Sequence, residues 1–266
     1  MVVRSEGCPP GTPNWVEGRF DDAKAAAGFY ARLFGWKIVK SDSAGETYYE
    51  ASLGASAVAG IRSRQEEEHM PRPGWIPYFA VADLDSASNK VDGAGGHFLI
   101  PPFEGFGKTR AAVAIDNGGA TFGMRESSEG LDRVRGPGTM QWNELHARDY
   151  QSARNFYAEL FGFSYTEIGH GTEFVNSTIE RASDGRTVGG ITYEDTIPDE
   201  GPAYWLPWFQ VRDPAITAEH ATSWGARQVL PATDSALGRI AILRGPQGES
   251  FGVFNRSLGQ KYDDGI

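Results

Sequence analysis

The chain has 266 residues, with 35 Asp and Glu against 25 Lys and Arg and a formal charge of -10 at pH 7. That balance repels phosphate backbones, and no Lys/Arg-rich stripe offsets it, so nucleic-acid binding is not expected. With 40% hydrophobic and 12% aromatic residues, 34 Gly and 15 Pro, the composition is that of a folded, turn-rich protein rather than a disordered or all-helical one. Residues 1–15 hold no apolar core of signal-peptide length, and no later run approaches the roughly 20 apolar residues needed to cross a bilayer. A cytoplasmic protein without membrane attachment is expected. The one cysteine, Cys8, has no intrachain disulfide partner, which suits a reducing compartment and reads as an incidental loop thiol.

In chain order, the first strand carries Trp15, Glu17 and Arg19 at alternate positions, which places all three on one face. Asp22 then caps a helix in which Ala26, Phe29, Tyr30 and Leu33 recur at helical spacing, and Gly35 stops it. Apolar and polar residues alternate over 48–53 and 57–61, as in half-buried strands. Glu66, Glu67 and Glu68, followed by Pro71, Pro73 and Gly74, form a solvated loop. A strand through Trp75 to Val81, a helix over 84–93 and two further strands complete the first half.

The whole order then recurs. Residues 15–36 align without a gap with 142–163, matching Trp15 to Trp142, Glu17 to Glu144, Phe29-Tyr30 to Phe156-Tyr157 and Leu33-Phe34-Gly35 to Leu160-Phe161-Gly162. Trp75, Pro77 and Val81 match Trp205, Pro207 and Val211, Arg110 matches Arg239, and Phe122-Gly123 matches Phe251-Gly252. Asp149 takes the capping role of Asp22, 174–179 alternates as a strand, and a helix is expected over 214–224. Two modules, 8–129 and 140–258, are thus joined by a linker over 130–139 that contains Gly136, Pro137 and Gly138, with a loose polar tail over 259–266. Each module reads strand-helix-strand-strand-strand twice, an α+β architecture rather than a doubly wound one.

The run Asp-x6-Phe-Tyr-x3-Phe-Gly-aromatic at Asp22 to Trp36 and Asp149 to Phe163 resembles the first βα unit of the vicinal-oxygen-chelate superfamily, the glyoxalase, bleomycin-resistance and dioxygenase group. The turns Asp116-Asn-Gly-Gly and Gly245-Pro-Gln-Gly, each leading to Phe-Gly, resemble that family's entry into its last strand. The resemblance covers nearly the whole chain. It implies tandem βαβββ modules whose curved mixed sheets form concave pockets, with helices outside. In metal-dependent members it also implies ligands from the first, middle and last strands. Here those places fall on Trp15, Ile76 and Gly123 in one module and on Trp142, Leu206 and Gly252 in the other. None of the six offers a donor, so no metal and no other cofactor is expected.

On the face that the resemblance makes concave, Trp15 and Glu17 in module one and Trp142, Glu144 and His146 in module two supply an aromatic platform beside a carboxylate. Glu144 and His146 are the candidate catalytic pair, because an imidazole titrates near neutrality, whereas Arg19 in module one cannot exchange protons. Trp15, Glu17, Trp75, Arg110, Trp142, Trp205 and Arg239 are the ligand-binding candidates. Tyr78 and Trp208 lie on the same strands as Trp75 and Trp205, and Tyr48 and Tyr49 near the rim. The alternative is that the tryptophans fill the module interface and that Glu17 and Glu144 are neutralised by arginines such as Arg110 and Arg239. His69, His97, His170 and His220 read as surface residues.

Two functions remain open. One is a binding protein holding a small aromatic or amphipathic molecule in a metal-free pocket, acting as a monomer or homodimer. The other is a metal-independent lyase, isomerase or cyclase of a natural-product-like substrate, run by Glu144 and His146. A metal-dependent glyoxalase or ring-cleaving dioxygenase is disfavoured by the six missing ligands.

Overall fold

The computed structural model describes residues 2–4, 8–43, 46–64, 72–104, 109–126, 133–168, 175–198, 201–235 and 238–258. The run Glu66 to Glu68, Phe174, His69, His170 and the tail over 259–266 lie outside them. After a short strand β1 (Val2–Arg4), the first module runs β2 (Pro13–Phe20), α1 (Ala23–Phe34), β3 (Lys37–Ser43), β4 (Glu46–Leu53), β5 (Ser56–Ser63), β6 (Gly74–Val81), α2 (Leu84–Gly93), β7 (His97–Glu104), β8 (Arg110–Ile115) and β9 (Thr121–Glu126). Strand β10 (Arg133–Arg135) follows, inside the stretch expected as a linker, and pairs antiparallel with β1. The second module runs β11 (Met140–Ala147), α3 (Tyr150–Phe161), β12 (Ser164–Ile168), β13 (Asn176–Glu180), β14 (Thr187–Tyr193), β15 (Tyr204–Gln210), α4 (Pro214–Ser223), β16 (Arg227–Ser235), β17 (Gly238–Arg244) and β18 (Ser250–Asn255).

The helix ends follow from the residues that bound them. Asp22 accepts a hydrogen bond from the Ala25 amide and Asp149 from the Ser152 amide, each satisfying an otherwise orphaned donor for about 1 kcal/mol. Gly35 and Gly162 close the same helices with φ of 71°, a left-handed conformation that costs glycine nothing.

Each module folds into one curved, open sheet of eight strands, ordered β3-β4-β5-β2-β6-β9-β8-β7 and β12-β13-β14-β11-β15-β18-β17-β16. At its centre the first strands of the two βαβββ units run antiparallel, β2 on β6 and β11 on β15, while each also pairs in parallel with the last strand of its own unit. This mixed arrangement puts alternate side chains of β2 and β11 on the concave face and the rest on the helix face.

The helix faces of the modules pack against one another. One core cluster joins Val16, Phe20, Ala26 and Tyr30 of module one to Phe209, Ala221, Leu243 and Phe251 of module two, and a second joins Phe79, Leu84 and Phe122 to Leu145, Phe156 and Trp205. The helices therefore lie outside the cups, as the resemblance implies, but between the two sheets. Phe34 stacks on Phe209 with ring centroids 4.7 Å apart, and a fully buried side chain of this size is worth about 1.5–3 kcal/mol. No helix among the described residues is long and apolar enough to cross a membrane.

Candidate functional site

Strand parity decides which candidates share a site. In β2, Trp15, Glu17 and Arg19 turn away from Val16 and Phe20, which enter the helix-side core. Opposite them β6 contributes Ile76 and Tyr78, with Ile76 facing Glu17 and Tyr78 facing Trp15 in the ladder. The cup of module one is filled by its own side chains. Arg19 is fully buried and donates from Nε to Glu17 Oε1 at 3.1 Å, while its Nη2 lies 3.0 Å from the same oxygen. Tyr78 Oη donates to Glu17 Oε1 at 3.2 Å, and Arg62 Nε stands 3.4 Å away. Arg125 lies over the Trp15 ring at 5.5 Å and Arg62 over Tyr48 at 5.2 Å. Burial, and then the Glu17 charge, push the Tyr48 and Tyr78 phenols far above their ordinary range. What remains between Trp15, Glu17, Arg62, Tyr78 and Arg125 is a cavity of about 10 Å³, no more than one water.

Module two presents different residues on the same scaffold. Glu144 is half-buried and accepts from Thr192 Oγ1 and from the indole Nε1 of Trp208, the latter at 3.2 Å. Around it lie Trp142, Leu206, Trp208, Ile240, Ile242 and Phe254. By the ladder registers, Thr192 stands where module one has Arg62, and Phe254 where it has Arg125. The arginines that close the first cup thus give way to a hydroxyl and an apolar ring. Trp142, Ile240 and Ile242 are only half-buried, so this face retains apolar surface that a ligand can cover.

His146 is buried at 7% exposure and its ring stacks on Tyr204, with centroids 4.8 Å apart and planes 3° from parallel. Its Nδ1 stands 3.4 Å from Glu194 Oε2, and its buried Nε2 has no hydrogen-bond partner among the described residues. Partial burial raises the Glu194 carboxyl, but hydrogen bonds from Thr196 and the His146 imidazole outweigh it and hold the group below the usual carboxylate range. Burial and the nearby Glu194 and Glu144 charges push the Tyr204 phenol up to about 12. Carboxylate and imidazole therefore share a face, yet each is anchored by its own partners rather than by the other.

The remaining candidates go elsewhere. Trp75 and Trp205 point to the helix-side core, where Trp205 Nε1 donates to Tyr157 Oη at 2.8 Å. Arg110 is exposed and pairs with Asp85 at 2.6 Å and Glu126 at 3.2 Å, and Arg239 is 4.0 Å from Asp234. Neither arginine neutralises Glu17 or Glu144; Arg19 and Arg62 serve Glu17 instead. His97 is exposed, and His220 is an exposed residue stacked on Trp224. Sequence reasoning missed Arg62, Arg125, Thr192 and Glu194 as members of these clusters.

The metal centre that the fold family implies is not supported by the residues present. Trp15, Ile76, Trp142 and Leu206 occupy four ligand places with apolar groups. At the other two, a Cβ built on Gly123 would come within 2.3 Å of the Tyr78 ring, and one on Gly252 within 2.2 Å of the Trp208 ring. The space that a last-strand carboxylate stem needs is taken by an aromatic ring in both modules. Among the described residues, no three His, Cys, Asp or Glu side chains converge.

Comparison with known proteins agrees with this architecture. The family model described as Glyoxalase/Bleomycin resistance protein/Dioxygenase superfamily matches residues 12–124 and 139–253. A Mycobacterium bovis protein provisionally named a glyoxylase, CFP32, is 35% identical over 262 residues, covering 95% of this chain and 97% of that one. An anthracycline biosynthesis protein, DauV, from Streptomyces sp. strain C5 is 30% identical over 259 residues, covering 92% and 93%. Among solved structures, the Mn(II)-bound glyoxalase from Novosphingobium aromaticivorans superposes with a TM-score of 0.62 at 16% identity, covering 97% of this chain and 87% of that one. An extradiol ring-cleaving dioxygenase from B. fuscum gives 0.64 at 12% identity, covering 100% and 78%. These two likenesses establish shared fold.

Proposed function

Because the chain belongs to the glyoxalase/bleomycin resistance/dioxygenase superfamily, we propose that its second module binds a small, planar, largely apolar organic molecule in the cup of β11, β15, β17 and β18, without a metal ion. One contrast carries the reading: the first cup is filled by Arg19, Arg62, Arg125 and Tyr78, whereas the second sets a half-buried carboxylate within a partly uncovered apolar wall. A flat aromatic ligand would cover Trp142, Ile240 and Ile242, and a hydroxyl on it would donate to Glu144. The anthracycline biosynthesis protein among the relatives supports a planar natural product as the ligand class.

Glu144 is suited to this task because Thr192 and Trp208 fix its oxygens in advance, so little side-chain freedom is lost on binding. The donor chemistry at the six family ligand places supports the metal-free part of the proposal. A second, catalytic reading rests on His146. With Nδ1–H donated to Glu194, Nε2 would be the ring nitrogen left to take a proton while Glu144 holds a substrate hydroxyl, provided that the substrate uncovers this buried atom.

The test is titration of chelator-treated protein with a hydroxyanthraquinone, followed by tryptophan fluorescence, with product analysis of the same mixture. Binding unchanged by chelator supports the reading, and turnover selects the catalytic version. Binding that returns only with added Mn, Zn, Ni or Fe would overturn the metal-free site.

A further inference from the structure

A second cavity, of about 370 Å³, opens where the two modules meet. It lies between the start of β6 and the β8–β9 turn on one side and the start of β15 and the β17–β18 turn on the other, with Arg72, Trp75, Thr121, Tyr204, Arg244 and Ser250 among its walls. Its size falls within the range of small-molecule sites, roughly 300–1,000 Å³.

Arg244 is the unusual member. It closes β17 opposite Ser250, on the same face as Ile240 and Ile242, and at the matching place in module one the ladder carries Ile115 opposite Thr121. The strand pairing therefore does not require a guanidinium there. Arg244 is half-buried, its Nε is cut off from solvent, and it has no hydrogen-bond or carboxylate partner among the described residues. A buried N–H without an acceptor is costly unless something supplies one. Across the cavity, Arg72 is exposed and has no carboxylate partner among the described residues.

We propose that this intermodular cavity is a binding site for a small aromatic carboxylate, whose oxygens are taken by Arg244 and Arg72 and whose ring lies along the Trp75 side. Planar bidentate recognition of a carboxylate is what a guanidinium does best, and the hydroxyls of Thr121 and Ser250 add donors at the rim. Among the described residues, two carboxylates stand near. Glu249 lines the cavity but is buried, and its oxygens already accept from Tyr30 Oη at 2.7 Å and the Gln247 amide at 3.0 Å. Glu194 is drawn to His146 and to Thr196, which is itself a wall of the cavity. Because Tyr204 touches both the cavity and His146, an occupant here would border the cup of module two without entering it.

The experiment is calorimetric titration of the full chain with naphthalene-2-carboxylate and with its neutral analogue naphthalene-2-carboxamide near pH 7.5. The carboxylate is expected to bind about ten-fold or more tightly than the amide. Arg244→Gln should abolish that preference, Arg72→Gln should reduce it, and Arg244→Lys should retain part of it. Because Arg72 is exposed, its variant remains informative should Arg244→Gln not fold. Equal affinity for the two probes, absence of binding by both, or a preference that survives both glutamine variants would overturn the proposal.

Discussion

The Tyr30 hydroxyl donates to Glu249 Oε1 at 2.7 Å, tying helix α1 of the first module to the last turn of the second. The reciprocal tie runs from Tyr157 of α3 to Asp116 Oδ2 at 3.0 Å, with Trp205 donating in turn to the tyrosine. Tyr30→Phe removes the only donor that reaches Glu249 from the other module among the described residues and should destabilise the protein by about 1–3 kcal/mol. Urea unfolding measures it; an unchanged midpoint would show that the tie carries no energy.

Burial raises the carboxyls of both Glu249 and Asp116, against the hydrogen bonds that favour their charged forms. A raised folded pKa means that the folded state holds the proton more tightly than the unfolded one. Their contribution to stability is then full below the ordinary carboxylate pKa of about 4 and is lost as pH rises through the folded values. Glu249→Gln keeps an acceptor for Tyr30 and removes one titrating group. Its melting temperature should fall less steeply than the wild type's over that rise in pH. Parallel melting curves would contradict the assignment.

Gly123 and Gly252 mark where a metal-dependent relative would place its carboxylate stem. Because a Cβ at either position meets a ring rather than open space, Gly252→Ala should cost about 1–3 kcal/mol through overpacking. It should also disturb the Trp208 bond to Glu144. Thermal unfolding together with ligand titration tests both parts. An alanine tolerated with full stability and affinity would mean that the ring moves freely.

The helices, the repeat and the concave stripe were legible because each rests on local spacing: Asp22 to Gly35 bounds α1, and alternation alone puts Trp15, Glu17 and Arg19 on one face. Parity could also have corrected Trp75 and Trp205. Each precedes the middle ligand place, Ile76 or Leu206, by one residue and so belongs to the opposite, helix-side face. Arg62 and Arg125 were not legible. They reach Glu17 and Trp15 from strands whose register is set by long-range pairing, and no spacing within the chain announces that. Glu194 lies just beyond the end of β14, where only the folded sheet brings it to His146.

Glu194 holds one nitrogen of His146 and so should fix its tautomer. With Nδ1–H donated to the carboxylate, nitrogen NMR of the neutral ring should report Nδ1 protonated and Nε2 bare. Glu194→Ala should relax that preference toward the mixture of a free imidazole. A bare Nδ1 in the wild type would remove the basis for reading His146 as a proton acceptor at Nε2.

The claim that the second cup binds while the first is filled is tested most directly by pairing Glu144→Gln with Glu17→Gln and measuring hydroxyanthraquinone affinity and unfolding free energy for each. Glu144→Gln should weaken binding by about 1.5–3 kcal/mol, the range for hydrogen bonds to a charged group, with little change in stability. Glu17→Gln removes the carboxylate beside the fully buried Arg19. It should lower stability by up to about 3–5 kcal/mol and leave affinity per folded molecule unchanged. The opposite pattern, with affinity lost at Glu17 and stability lost at Glu144, would contradict the account.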